Sequence, residues 1–131
     1  MQQSILLKVI LGLAGLLILI PGAMALFNPV GFTARNGVDI AGNISLLNDY
    51  RATGGIFLGS GIVILLGIIH SRMTFTSTVV AIMAHLTIAF GRLLSLGADG
   101  SPAKGLIAAM IVEFVLGLAA IFAMVKYRDK S

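Results

Sequence analysis

Four stretches of this chain are each apolar over about 20 residues, the length a helix needs to cross a bilayer, and little of the chain lies outside them. The first runs from about Ile5 to Phe27, with Lys8 near its start and Pro21-Gly22 near its end. The second runs from about Asp49 to Ile69, the third from Phe75 to Leu96, and the fourth from Gly105 to Met124. Short breaks, His70-Ser71-Arg72-Met73 and Gly97-Ala98-Asp99-Gly100-Ser101-Pro102, separate the last three. Such tight connections make those three spans successive antiparallel neighbours. The expected fold is all-α: a four-transmembrane-helix antiparallel bundle, one integral membrane domain over residues 1–131. A long capping loop, residues 28–48, would join helices one and two.

Composition agrees with a lipid solvent. Hydrophobic residues make up 58% of the chain and charged residues 11%, with a mean hydropathy of +1.05. Soluble domains carry roughly 25% charged residues, so the bilayer is the expected partner. There is no cysteine, which excludes disulfides, thiolate metal sites and cysteine nucleophiles. The formal charge of +4 is the basic excess of cytoplasmic loops and tails rather than a nucleic-acid footprint. Four spans put both termini on one side, with Lys8, Arg72, Lys126, Arg128 and Lys130 against Asp129. The other side carries Arg35 and Lys104 against Asp39, Asp49 and Asp99, with Arg51 and Arg92 near the membrane. That asymmetry predicts cytoplasmic termini.

A competing reading concerns Met1 to Ala25. A basic residue, an apolar run and the small-x-small ending Ala23-Met24-Ala25 are like a secretory signal peptide. Cleavage there would leave three spans. Lys8 lies deeper than a typical basic leader and the apolar run is long enough to span, so a retained helix is the expectation.

The connection Asn28–Asn48 opens with Asn28-Pro29, turns at Asn36-Gly37 and carries Gly42-Asn43 before the second helix. Val30, Phe32, Val38, Ile40 and Ile44 punctuate it, the pattern of a cap with a short helix or hairpin that folds down on something. Asn43-Ile44-Ser45 matches a glycosylation sequon, a short pattern common by chance.

Three ionisable residues sit inside or at the mouth of the spans: Arg51, Arg92 and Glu113. A charge at the bilayer centre costs about 2.5–3.5 kcal/mol on insertion scales, so such residues face a bundle interior and find partners. Helix Cα–Cβ bonds tilt toward the helix N-terminus. On an antiparallel hairpin, Arg92 and Glu113 therefore lean toward one another, and an ion pair between them is expected. Arg51 leans outward, as an interfacial anchor or as a pocket member. Gly55 and Gly59 follow it on the same face, a small-residue groove for close helix approach. His85 and Ser95 share a face with Arg92. The candidate polar pocket is thus Arg51, Arg92, Glu113, His85 and Ser95, read against a purely structural ion pair and a neutral core histidine. His70, Asp49 and Asp99 read as boundary, dipole and turn residues.

No His-Glu-x-x-His, carboxylate cluster, Gly-x-Ser-x-Gly elbow or phosphate loop is present. No metal or cofactor is expected, and enzyme is the weaker class.

Three pieces carry a resemblance: Asn48-Asp49-Tyr50-Arg51-Ala52-Thr53-Gly54-Gly55-Ile56-Phe57-Leu58-Gly59; Gly91-Arg92-Leu93-Leu94-Ser95 with Asp99-Gly100-Ser101-Pro102; and the lone Glu113. Together they resemble a bacterial four-helix integral membrane family of unknown function, distantly DoxX-like, over nearly the whole chain. The resemblance implies this fold and a bacterial inner membrane address, and sets Arg51, Arg92 and Glu113 on the family's charged positions. DoxX-like relatives suggest membrane redox or quinone-linked partners, but these cysteine-free helices hold no redox group and that function is not carried across.

The leading functional expectation is a non-catalytic membrane protein whose Arg/Glu pocket near the outer leaflet takes a lipid, quinone or other small lipophilic ligand with an anionic or carbonyl group. The alternative is an accessory subunit of a larger membrane complex, or a homo-oligomer, docking through glycine-lined faces. A proton or ion relay through Arg92, Glu113 and His85 comes third, because the cytoplasmic half offers no comparable acid.

Overall fold

The computed structural model describes residues 1–129; Lys130, counted above among the cytoplasmic cations, lies outside them. The order is α1 (Ile5–Phe27), α2 (Pro29–Ala34), α3 (Ile44–Ile69), a 3-10 turn (Ser71–Met73), α4 (Thr74–Asp99) and α5 (Lys104–Tyr127). Four of these helices, all but the short α2, are long and apolar enough to cross a membrane. This is an all-helical bundle built for a bilayer. Both termini lie at one end (the terminal end), and α2 with the connection after it lies at the other (the lid end).

Local chemistry sets the boundaries. Ser4 caps α1, its side chain accepting from the Leu7 N–H at 3.0 Å. Asn28 works twice. Its own N–H donates to the Met24 carbonyl at 2.8 Å, closing α1, and its side chain accepts from the Gly31 N–H at 3.1 Å, opening α2. Pro29 follows in the first turn, where a missing N–H loses no helical bond. Asn43 caps α3 by accepting from Leu46 N at 3.1 Å, so a helix start is the structural use of the sequon-like triplet.

Three boundaries differ by three residues or more from those expected, one being the end of α5 at Tyr127 rather than Met124. α3 begins at Ile44 rather than near Asp49, and α4 runs to Asp99 rather than Leu96. Hydropathy marks where apolar sequence ends, whereas caps mark where the helix ends. At 26 residues each, α3 and α4 are about 39 Å long, beyond a hydrocarbon core of about 30 Å. The expected long loop shrinks to α2 and residues 35–43. Ile40 is buried and pins that connection, whereas Val30, Val38 and Ile44 stay exposed.

α1 packs most extensively on α3, and α4 on α5. The α1–α3 contact is glycine-mediated. A Cβ on Gly54 would lie 2.5 Å from Leu26 N and 2.7 Å from the Gly22 carbonyl oxygen; one on Gly61 would lie 2.5 Å from Leu19 Cβ. The helices touch backbone to backbone there. At Gly55 and Gly59, the expected groove, a Cβ would meet nothing within 4 Å. The tight face of α3 is turned away from them, because Gly54 and Gly61, seven residues apart, occupy the face toward α1.

Leu7, Leu11, Ala14, Ile18, Ile64, Ala81, Ala120 and Ala123 form the core along the bundle axis. At the terminal end this core gives way to hydroxyls. Thr74 accepts from Gln3 and donates to the Gly67 carbonyl at 3.0 Å; Ser77 donates to Val63 O at 2.6 Å, and Thr78 to Thr74 O at 2.7 Å.

Candidate functional site

A cavity of about 380 Å³ opens at the lid end, between the α1–α3 pair and the α4–α5 pair. That size lies within the range of small-molecule sites, roughly 300–1,000 Å³. α1 contributes Leu17, Ile18 and Pro21 to its wall, α3 contributes Phe57, and α5 contributes a run from Gly105 to Leu116. Its polar groups are Arg92 and His85 from α4, Glu113 from α5, and Arg35 and Asn36 from the segment just after α2. Phe32 of α2 covers it. The cavity exists because Gly105, Ala108 and Ala109 are small where α5 passes the lid, leaving space that larger side chains would fill.

Arg92 and Glu113 form the expected ion pair, Nε to Oε2 at 2.9 Å. The pair is held at modest exposure: the Arg92 side chain is 32% accessible and that of Glu113 14%. Only Nε is engaged. Among the described residues the terminal guanidinium nitrogens make no hydrogen bond, so the planar fork that grips carboxylates and carbonyls remains free. Arg92 also borders two further cavities. One, of about 90 Å³, lies against Ser95, Leu96, Pro102 and Met110. The other, of about 250 Å³, lies beneath the lid against Thr33, Asn36, Tyr50 and Thr53. Arg92 thus lines all three.

His85 is 2% exposed, deeper in the same cavity. Its Nε2 lies 2.9 Å from the Ala14 carbonyl oxygen on α1. Nδ1 is buried with no hydrogen-bond partner among the described residues.

The other sequence candidates go elsewhere. Arg51 does not border this cavity. Its guanidinium donates to the Leu26 carbonyl at 2.5 Å, one of the last carbonyls of α1, which have no intrahelical donor. A cation there also opposes the negative end of the α1 dipole. Arg51 thus ties α3 to the end of α1. Ser95 donates to Asp99 Oδ2 at 2.9 Å, one turn along α4, and touches only the 90 Å³ cavity. The structure therefore brings together Arg92, Glu113 and His85, and leaves Arg51 and Ser95 on its margins.

Arg35, Asn36 and Phe32 were missed as site residues. Phe32 carried a usable signal as an apolar residue in the connection. Arg35 carried none, because nothing in its local sequence says that the segment after α2 faces α4 and α5 across a cavity. Arg35, whose guanidinium contacts Met24 Sδ at 3.6 Å, adds a second cation to the lining, which then carries two cations against one carboxylate. That lining is complementary to a single negative charge or a strong carbonyl dipole. Among the described residues, no group of three or more His, Asp or Glu is placed to hold a metal ion.

The family model described as a domain of unknown function, DUF4345, matches residues 6–124, so the chain belongs to that family. No curated protein and no solved structure matches it.

Proposed function

We propose that this DUF4345 membrane protein is a non-catalytic binder of a small lipophilic molecule bearing an anionic or carbonyl group. One observation carries the reading: Arg92 spends only Nε on Glu113, and the residue lines three cavities. In this reading Glu113 orients the guanidinium and offsets part of its charge. Arg35 supplies the second cation, and Phe32 closes the top. Apolar walls take the hydrocarbon part of a lipid, quinone or similar ligand. Arg51 and Ser95 position the frame, Arg51 by capping α1 and Ser95 by bonding Asp99. The charge asymmetry of the loops supports cytoplasmic termini, which turns the lid toward the outer leaflet; with the resemblance, it supports a bacterial inner membrane.

Native mass spectrometry of wild type and Arg92→Ala, extracted in the mildest workable detergent, tests this. A small bound mass in wild type and bare protein in the variant is the expected result. The same mass on both proteins, or on neither, counts against the proposal.

One observation favours a second reading, an accessory subunit. Gly55 and Gly59 leave a stretch of α3 with open space beside it, and close helix approach in lipid uses such surfaces. Co-purification of another membrane protein, lost in Gly59→Leu, would support it.

A further inference from the structure

One stripe of α5 changes character halfway along the helix. Toward the terminal end Ala120 and Ala123 are fully buried in the core shared with α1, and Leu116 is nearly so. Val112, Ala108 and Gly105 continue that stripe toward the lid at helical spacing. There they are exposed, Val112 by 41%, yet all three line the 380 Å³ cavity. On α1, Leu17 likewise lines the cavity and is 46% exposed. Residues that both line a cavity and stay exposed mark its rim, so the cavity opens sideways between α1 and α5.

The parting of these helices has causes in the sequence. Gly22 draws the lid half of α1 onto α3, where a Cβ on it would lie 2.5 Å from Leu58 N. Gly105, Ala108 and Ala109 give α5 no side chain long enough to bridge the gap that remains. At the terminal end the two segments stay together, the Gln2 N–H donating to the Tyr127 carbonyl at 2.7 Å. Above the gap, a Cβ on Gly105 would lie 3.5 Å from Asn36 Oδ1, so the segment after α2 meets the first turn of α5 and roofs it. The open side faces hydrocarbon. Leu17 lies ten residues before the end of α1 and Val112 eight residues after the start of α5. That places them about 12–15 Å below the lid ends, inside a core about 30 Å thick.

We infer that the cavity takes its ligand from the bilayer through this side opening, and that the ligand is a membrane lipid whose tail stays between α1 and α5 while its anionic or carbonyl head is held at Arg92. The inference rests on the cavity being a binding site, and adds the source of the ligand and its route. A tail loses little by remaining at the opening, because lipid chains are as apolar as leucine. The head is what needs compensation inside hydrocarbon, and the lining supplies it with Arg35 after α2 and Arg92 on α4.

Palmitate carrying a photoreactive diazirine in the head-proximal third of its chain tests the route. The probe is added to liposomes holding the wild-type protein, and adducts are mapped by peptide mass spectrometry. Leu17, Ala108 and Val112 should be labelled about tenfold more than Leu94 and Val125, which are exposed but line no part of this cavity. Excess decanoate, with the same head on a short chain, should remove the enrichment, as should Arg92→Ala. Ala108→Trp blocks the opening from an exposed position and should lower the labelling of Leu17 and Val112 at least about tenfold. Ile111→Trp, exposed and outside the cavity, should leave it unchanged. The wild-type map with and without decanoate decides the matter even where a variant does not fold. Decanoate-sensitive labelling confined to Ile18 and Leu116 inside, or to Phe32 and Val38 at the lid, would overturn the side route and leave the binding site standing. A folded Ala108→Trp variant labelled as wild type would do the same. Even labelling of every lipid-facing residue, indifferent to decanoate and to Arg92→Ala, would remove the site itself and this inference with it.

Discussion

At the terminal end of the bundle, the hydroxyls of Thr74, Ser77 and Thr78 each donate to a backbone carbonyl within 3.0 Å, in tight packing around Gly67. At the lid end, Arg92 uses one of its nitrogens, His85 Nδ1 is buried without a partner, and both residues line about 380 Å³ of space. Both ends place polar groups among apolar helices, but only one satisfies them from within. A closed network rigidifies and specifies packing, whereas a partly open one keeps hydrogen-bonding capacity for something else. The difference separates the part of the molecule that holds the fold from the part that offers a site.

Several substitutions break or sharpen that contrast. Gly67→Val strikes the terminal end hardest, because the new Cβ would lie 2.5 Å from Ser77 Cβ and 3.2 Å from Leu11 Cδ1. Overpacking of this kind costs about 1–3 kcal/mol or more, and the expected outcome is a large loss of unfolding free energy in mixed micelles. Arg92→Ala with Glu113→Gln acts at the lid end. Replacing both members of a buried pair is often close to neutral for folding, so the double variant should stay folded and lose at least about tenfold in affinity for decanoate. A folded double variant that still binds as wild type would make the two ends alike in kind.

Smaller effects refine the division. Ser77→Ala should cost about 1 kcal/mol in stability with decanoate affinity unchanged. Arg51→Met removes the cation from the end of α1 and should cost about 0.3–1 kcal/mol, again with binding intact. Arg35→Ala should show the reverse pattern at the smallest scale. Its exposure makes its charge screenable, so a modest affinity loss that vanishes at high salt is expected, with no change in unfolding midpoint.

Much of this was legible in the sequence because lipid is an unforgiving solvent. A run of about 20 apolar residues has one stable backbone solution there, so four such runs fixed the helices. Charges inside them had to pair, so Arg92 and Glu113 could be matched from opposite strands of one hairpin. The sequence did not reveal which glycines pack. Gly54-Gly55 and Gly59 with Gly61 offer two faces of α3, and only the position of α1 selects Gly54 and Gly61. Nor did it assign Arg51, whose partner is the Leu26 carbonyl, a group every residue possesses.

The chain by itself determined the solvent, the number of spans and the residues carrying charge into them, since each follows from local hydropathy and the cost of unpaired groups. Tertiary structure alone decided that α2 packs on α1 and α3, that Arg35 lines one cavity with Arg92, and that His85 is satisfied at one nitrogen and unpartnered at the other. Those facts depend on which helix faces which. A cavity is the space that packing leaves, and no local rule of sequence records it.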